Sequence, residues 1–235
     1  MNGPQILAHR GANRVARENT IEAFVEAGAL GADGVELDLH RSADGVLVVH
    51  HDADAAGIVV LGEHDFAVIR RALPYVPTLE EVLDACAGLL VNVEVKNLPG
   101  DADFDPDDRA AAALVTLLHA RSPRDEVLIS SFNLTTIDRV RTLDPALATG
   151  FLTLVGFDPL DGAAIAHDHG HAAVHPDVRS LPGPAAAAVA TRAHELGLAV
   201  NVWTVDAPDE IRRLAAAGVD AIVTDVPDVA RAALQ

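Results

Sequence analysis

The sequence predicts a (β/α)8 TIM barrel, and three observations carry that prediction. Strand-length apolar runs alternate with stretches of helical periodicity about eight times along the 235 residues. Three helix-to-strand junctions repeat one device: Gly31-Ala32-Asp33, Gly197-Leu198-Ala199 and Gly218-Val219-Asp220. In each, a glycine ends a helix and a strand follows. Polar residues sit at the ends of many different strands, where a barrel builds its site. A doubly wound sheet is the alternative, and the spread of those polar strand ends favours the barrel. The reading treats residues 1–235 as one domain.

The elements follow in order. Gln5 to Ala8 is a short apolar run, read as the first strand, ending in His9-Arg10-Gly11. Asn19 to Leu30 has helical apolar spacing, with Asn19 and Glu22 as its capping box and Gly31 as its stop. Val35-Glu36-Leu37-Asp38-Leu39-His40 alternates with a period of two, so Glu36, Asp38 and His40 share one face. A turn at Ala43-Asp44-Gly45 leads to a return run, Val46 to Val49, that ends in His50-His51-Asp52. Residues 53–76 are poorly periodic and form a short excursion after the second strand. Thr78-Leu79-Glu80-Glu81 opens a helix with a second capping box. Leu89 to Lys96 is a strand, and the acidic stretch Asp101 to Asp108 is a solvated loop before a helix reaching Ala120. Further strands are expected at 127–132, 148–152, 172–175, 199–204 and 221–224. Helices are expected at 134–143, 161–168, 184–196, 208–217 and 226–234.

Composition narrows the function. Half the residues are hydrophobic and only 3% are aromatic, which suits closely packed, alanine-rich helices. The net charge of −18 argues against nonspecific binding to nucleic acid and against stable membrane association. It leaves room for an anionic small molecule, because a metal and a few cations reverse the sign of one pocket. A single cysteine, Cys86, fits a reducing compartment, and the start of the chain shows no signal peptide, so a cytoplasmic location is expected.

The strand ends supply the chemistry. Same-face neighbours on a strand lie roughly 6.5 Å apart, close enough for two carboxylates to share one hard cation. Taken alone, an acid pair such as Glu36 and Asp38 is more often a solvated strand face. Glu94, at the end of another strand, changes that balance. Three inward carboxylates repel one another unless a divalent cation joins them. All-oxygen ligands favour Mg²⁺ or Ca²⁺ over zinc. Lys96, the only lysine, shares the strand face of Glu94, and Arg10 follows His9. With a metal, these two cations suit a phosphoryl group. His9 and His51 are candidates for general acid and base, and Trp203, the only tryptophan, is placed to wall the pocket. His167, His169 and His171 resemble a metal tract, but they fall at the opposite rim and are read as surface. His175 is left open between the barrel mouth and the interior.

The same residues resemble the glycerophosphodiester phosphodiesterase family. His9-Arg10-Gly11-Ala12, Glu18-Asn19-Thr20, Gly31-Ala32-Asp33, Glu36-Leu37-Asp38, Asp44-Gly45 and His51-Asp52 look like its opening, in order. Pro77 to Val82, Glu94-Val95-Lys96, Ser131-Phe132, Val202 to Val205 and Val219 to Asp225 continue it. The resemblance implies a (β/α)8 barrel that hydrolyses glycerophosphodiesters to an alcohol and glycerol 3-phosphate. It implies one divalent cation, Mg²⁺ or Ca²⁺, on Glu36, Asp38 and Glu94, with His9 and His51 as acid–base pair. Arg10 and Lys96 would then meet the phosphate, and Trp203 would line the pocket. The segment Ala53-Asp54-Ala55-Ala56-Gly57 departs from the family pattern, which leaves the alcohol moiety unspecified. A lysophospholipase D-like enzyme with a larger lipid headgroup, for which Ile58 to Leu61 are either lipid contacts or simply a buried strand, and a non-catalytic phosphoester-binding barrel are the other readings. Oligomeric state is not readable from the sequence.

Overall fold

The computed structural model describes residues 3–121 and 126–235. The strands are β1 (Gln5–His9), β2 (Gly34–Arg41), β3 (Leu47–Val49), β4 (Asp54–Ala55), β5 (Val59–Val60), β6 (Leu90–Val95), β7 (Glu126–Ser131), β8 (Ala148–Thr153), β9 (Ala173–Pro176), β10 (Ala199–Val202) and β11 (Ala221–Thr224). The helices are α1 (Ile21–Ala29), α2 (Phe66–Ala72), α3 (Leu79–Ala85), α4 (Arg109–Ala120), α5 (Leu134–Leu143), α6 (Pro159–Asp168), α7 (Ala185–Glu195), α8 (Pro208–Ala217) and α9 (Pro227–Ala233). Among the described residues, eight parallel strands form a closed ring in the order β1-β11-β10-β9-β8-β7-β6-β2, shut by the pairing of β1 with β2. That is the predicted barrel. β3 adds antiparallel to β2, with Leu39 opposite Val49, and so carries His51 back towards the end of β2.

Closure follows from the pattern of each strand. All but the last residue of β2 are buried, because its outer face meets helices and its inner face meets the other strands. Val35, Leu37 and Leu39 face outward into the main core with Phe24, Leu83 and Leu114. A second core, under α6 to α8, gathers Val174, Val189, Val200, Ile211 and Ile222. Inside the ring the apolar filling is small, with Leu7, Ala221 and Val223 packed near Trp203. Leu152 also faces this interior, which further holds the buried polar residues Asn92, Ser130, His175 and Asn201. His175 is buried in the interior and lines a small cavity with His9, Glu36 and Trp203. Its Nε2 accepts from Asn201 at 3.0 Å, and burial pushes its pKa down to about 3. Gly150 makes room for it, since a Cβ there would stand 2.3 Å from His175 Nε2.

The structure corrects three local readings and decides a fourth that the sequence left open. The α1 cap is Thr20, which accepts from the Ala23 N–H; Asn19 adopts a left-handed backbone and its side chain serves elsewhere. The acidic loop is only partly solvated, because Asp103 is buried against His40 with a contact of 2.7 Å. Of residues 58–61, Val59 and Leu61 are buried in the small core under the excursion and only Ile58 is well exposed, so the segment is not a continuous lipid-facing stripe. His171 is buried, while His167 and His169 stay exposed. The Thr78–Glu81 capping box forms as read, with both reciprocal hydrogen bonds.

Candidate active site

The C-terminal strand ends bring Glu36, Asp38 and Glu94 together. All three are buried, and one ligand oxygen from each lies within 4.8 Å of the others. The parallel register causes this: Asp38 is level with Glu94 across β2 and β6, and His9 is level with Glu36 across β1 and β2. Inward residues of neighbouring strands therefore form one layer.

Two cations are built into the carboxylate cluster. Lys96 Nζ lies 2.9 Å from Asp38 Oδ1 and 2.7 Å from Glu94 Oε1. Arg10 Nε lies 3.3 Å from Asp38 Oδ2, and the Arg10 guanidinium also donates to Glu18. The Arg10 backbone is left-handed (φ +57°), which aims its N–H at Glu36 Oε2, 3.1 Å away. Gly11 follows with φ +81° and lies so close to α1 that a Cβ would stand 2.7 Å from the Ala23 carbonyl carbon. The His9–Gly11 turn is thus clamped between the strand end and the helix. Asn19 donates to Asp38 Oδ2 at 2.7 Å from within the protein.

These neighbours divide the three acids. Burial, reinforced by the Asp38 charge, pushes Glu36 up to about 8. Burial also works to raise Asp38, but Lys96 and Arg10 outweigh it and hold this carboxylate well below its ordinary value. Burial raises Glu94 despite Lys96. Fully ionised, three clustered carboxylates would exceed their two fixed positive partners by one negative charge. A hard divalent cation fits this donor set, because it holds Glu36 and Glu94 ionised together.

His9 and His51 flank the cluster. His9 Nδ1 lies 2.7 Å from Asp225 Oδ1, and its Nε2 lies 3.9 Å from Glu36 Oε2. Burial works to lower the His9 pKa, but the Asp225 hydrogen bond and the Glu36 charge raise it above the ordinary value. Asn13 donates to the same Asp225 oxygen at 2.6 Å. His51 pairs Nδ1 with Asp52 at 2.7 Å and lines a cleft of about 270 Å³ with Glu94, Lys96, Ser131, Phe132 and Leu154. His40, beneath it, donates from Nε2 to the His51 carbonyl at 3.2 Å and is itself held by Asp103. Trp203 donates to the His175 carbonyl at 2.8 Å and packs edge-on against Phe132. His51, Glu94 and Lys96 line the cleft, while His9, Glu36, Glu94 and Trp203 line a small cavity beside it.

Asp225, Asn19 and Asp103 are the groups whose contacts sequence reasoning missed. Asp225 was visible as a strand end. Asn19 was concealed by its resemblance to a helix cap. Asp103 lies in an acidic loop, where nothing in the sequence distinguishes it from its neighbours.

The glycerophosphoryl diester phosphodiesterase family model matches residues 9–229. A glycerophosphodiester phosphodiesterase of Caldanaerobacter subterraneus is 30% identical over 95% of this chain and 94% of its own length. One from Bacillus subtilis is 29% identical over 95% of this chain and 84% of its own. The solved glycerophosphodiester phosphodiesterase of Agrobacterium tumefaciens is 26% identical, with a TM-score of 0.76 over 97% of this chain and 99% of that one. An Oleispira antarctica phosphodiesterase, solved with its product sn-glycerol-3-phosphate, is similar in fold, with a TM-score of 0.83 at 24% identity over 99% of this chain and 97% of that one. With strand ends, register and sequence in agreement along nearly its whole length, this chain belongs to the glycerophosphoryl diester phosphodiesterase family.

Proposed function

We propose that this protein hydrolyses a glycerophosphodiester to an alcohol and glycerol 3-phosphate, with a divalent cation, Mg²⁺ or Ca²⁺, held by Glu36, Asp38 and Glu94. The observation that carries the reading is the buried three-carboxylate cluster with Lys96 and Arg10 set into it, flanked by His9 and His51. Arg10 Nε–H makes no hydrogen bond among the described residues and lies buried 3.3 Å from Asp38 Oδ2, which keeps its positive charge beside the cluster. The cation, when bound, would polarise a phosphoryl oxygen and offset the charge that develops in the transition state.

The residues then divide the work. Asp225 accepts from His9 Nδ1–H, which leaves Nε2 as the atom that moves a proton. Asp52 does the same for His51, whose backbone is fixed by His40. One histidine takes the proton of the attacking hydroxyl, and the other protonates the leaving alkoxide. The attacking group is water or the substrate's own glycerol hydroxyl. The second route forms a cyclic phosphate, which single-turnover trapping would detect.

The test is glycerol 3-phosphate release from glycerophosphocholine and glycerophosphoethanolamine, with Mg²⁺, Ca²⁺ or EDTA. Release should require the cation and disappear in His9→Ala and Glu36→Ala. Full activity in EDTA, or in either variant, would refute the mechanism. A lysophospholipid substrate is the second reading, favoured by Leu154, which lines the cleft while more than half exposed. Choline release from lysophosphatidylcholine in the same assay separates the two.

A further inference from the structure

The opposite end of the barrel carries a second cluster of metal-ligating side chains. Asp138 projects from α5, and His169 and His171 lie in the connection from α6 to β9. One ligand atom from each falls within 4.8 Å of the others. His169 Nδ1 hydrogen-bonds the Asp138 carboxylate, 2.9 Å from Oδ2 and 3.1 Å from Oδ1, and His171 Nε2 is 3.4 Å from Oδ1. Ligands held at zinc distances in a tetrahedron are separated by about 3.3 Å. The two imidazole planes are nearly parallel, 15° apart.

His171 supplies the independent observation. Its side chain is fully buried, yet its Nε2 has no hydrogen-bond partner among the described residues. Its Nδ1 is engaged by the hydroxyl of Thr149 at 2.9 Å. With Nε2 protonated, its N–H faces Asp138 Oδ1 at 3.4 Å without forming a hydrogen bond; with Nδ1–H donating to Thr149, the Nε2 lone pair faces that carboxylate. Two electron-rich atoms in that arrangement repel, and burial makes the arrangement costly. A cation at the shared point removes the conflict. The Thr149 contact is also the outer hydrogen bond that metal-bound histidines make through their second nitrogen. His167 takes no part, since its Nδ1 donates to the Leu196 carbonyl. Arg141, packed over Gly170, opposes a cation, so the two imidazoles and the carboxylate must outweigh it.

We propose that Asp138, His169 and His171 form a second metal site, for a first-row transition ion such as Zn²⁺, at the barrel end remote from the phosphodiesterase site. Two imidazoles and one carboxylate suit such an ion better than Mg²⁺ or Ca²⁺. Three protein ligands leave one position for water. The site joins α5 to the connection that leaves α6, two neighbouring helices of the barrel, and acts as a clip between them. Binding through His169 Nδ1 requires the tautomer with the proton on Nε2.

The experiment uses untagged, chelator-stripped full chain titrated with Co²⁺ as spectroscopic probe and with Zn²⁺ as competitor. A visible d–d band of tetrahedral intensity should appear, and Zn²⁺ should bleach it. The band should persist in a Glu36→Gln/Glu94→Gln variant, which disables the other cluster. It should vanish in His169→Ala and in Asp138→Asn, both changes at partly exposed side chains. Thr149→Val, which keeps the volume, should weaken Co²⁺ binding about 10–100-fold. No tetrahedral band in the native chain, or a band unchanged in His169→Ala and Asp138→Asn, would overturn the proposal. The readout does not depend on phosphodiester hydrolysis.

Discussion

Lys96→Met removes the ammonium that holds two carboxylates in place, and its cost can be worked from the geometry. Nζ sits 2.9 Å from Asp38 and 2.7 Å from Glu94, with only 15% of the lysine side chain exposed. At an effective dielectric of about 20, a unit pair near 3 Å attracts by about 6 kcal/mol before desolvation is charged against it. Much of that is offset by taking the ions from water, but removing one partner alone leaves the other charges buried and unmatched. Breaking such a pair typically costs about 3–5 kcal/mol. For a chain of this size each kcal/mol shifts Tm by about 2–4 °C, which gives a fall of about 6–20 °C in metal-free protein. A divalent cation in the carboxylate cluster supplies the missing charge. The gap between variant and native protein should therefore narrow when Mg²⁺ or Ca²⁺ is added. Differential scanning calorimetry in EDTA and then in excess cation reads both effects. A fall below about 3 °C in EDTA would refute the electrostatic role of Lys96. A gap that saturating cation leaves unchanged would refute cation binding to these acids.

Three other expectations follow from single contacts. Asp225→Asn removes the carboxylate that fixes His9, so kcat should fall at least about 100-fold with little change in KM; an unchanged kcat would remove Asp225 from the mechanism. Gly150→Ala places a methyl 2.3 Å from His175 Nε2, so urea unfolding should show a loss of about 1–3 kcal/mol, and native stability would show that the interior gives way there. His175, with its pKa pushed down to about 3 from the ordinary 6.5, stays neutral in the fold but takes a proton when unfolded. The folded state thus binds fewer protons between those two values, and stability falls as pH drops through that window. The loss amounts to about 2 kcal/mol by about pH 5. His175→Gln should flatten that pH dependence in urea titrations, and an unaltered slope would show that His175 is not its source.

The barrel was legible because its signals are local and repeated. Helices α5 and α8 fall on the expected residues, and β11 does too. Strand ends moved by one or two residues where hydrophobicity runs past the last ladder bond, as at Phe132 and Thr204. The candidate site was legible for a related reason. In a parallel barrel every strand ends at the same rim, so polar residues at strand ends converge without any need to know the partners.

Pairwise contacts across long sequence separations were not legible. Asn19 has the residue type and spacing of a cap, and only the left-handed turn after Glu18 sends its amide to Asp38. Asp103 reads as one acid in a solvated loop until packing places it on His40. His171 reads as one of three surface histidines until β9 draws it inside and leaves His169 outside. The sequence by itself determined the alternation of elements, the rim that holds the polar strand ends and the residue types available there. Tertiary structure alone decided the strand register that levels Asp38 with Glu94, the side chains that hold each histidine, and the end of the barrel at which a second set of ligands meets. The reason is physical: element type follows from spacing along a few residues, whereas register and burial depend on contacts between residues far apart in the chain.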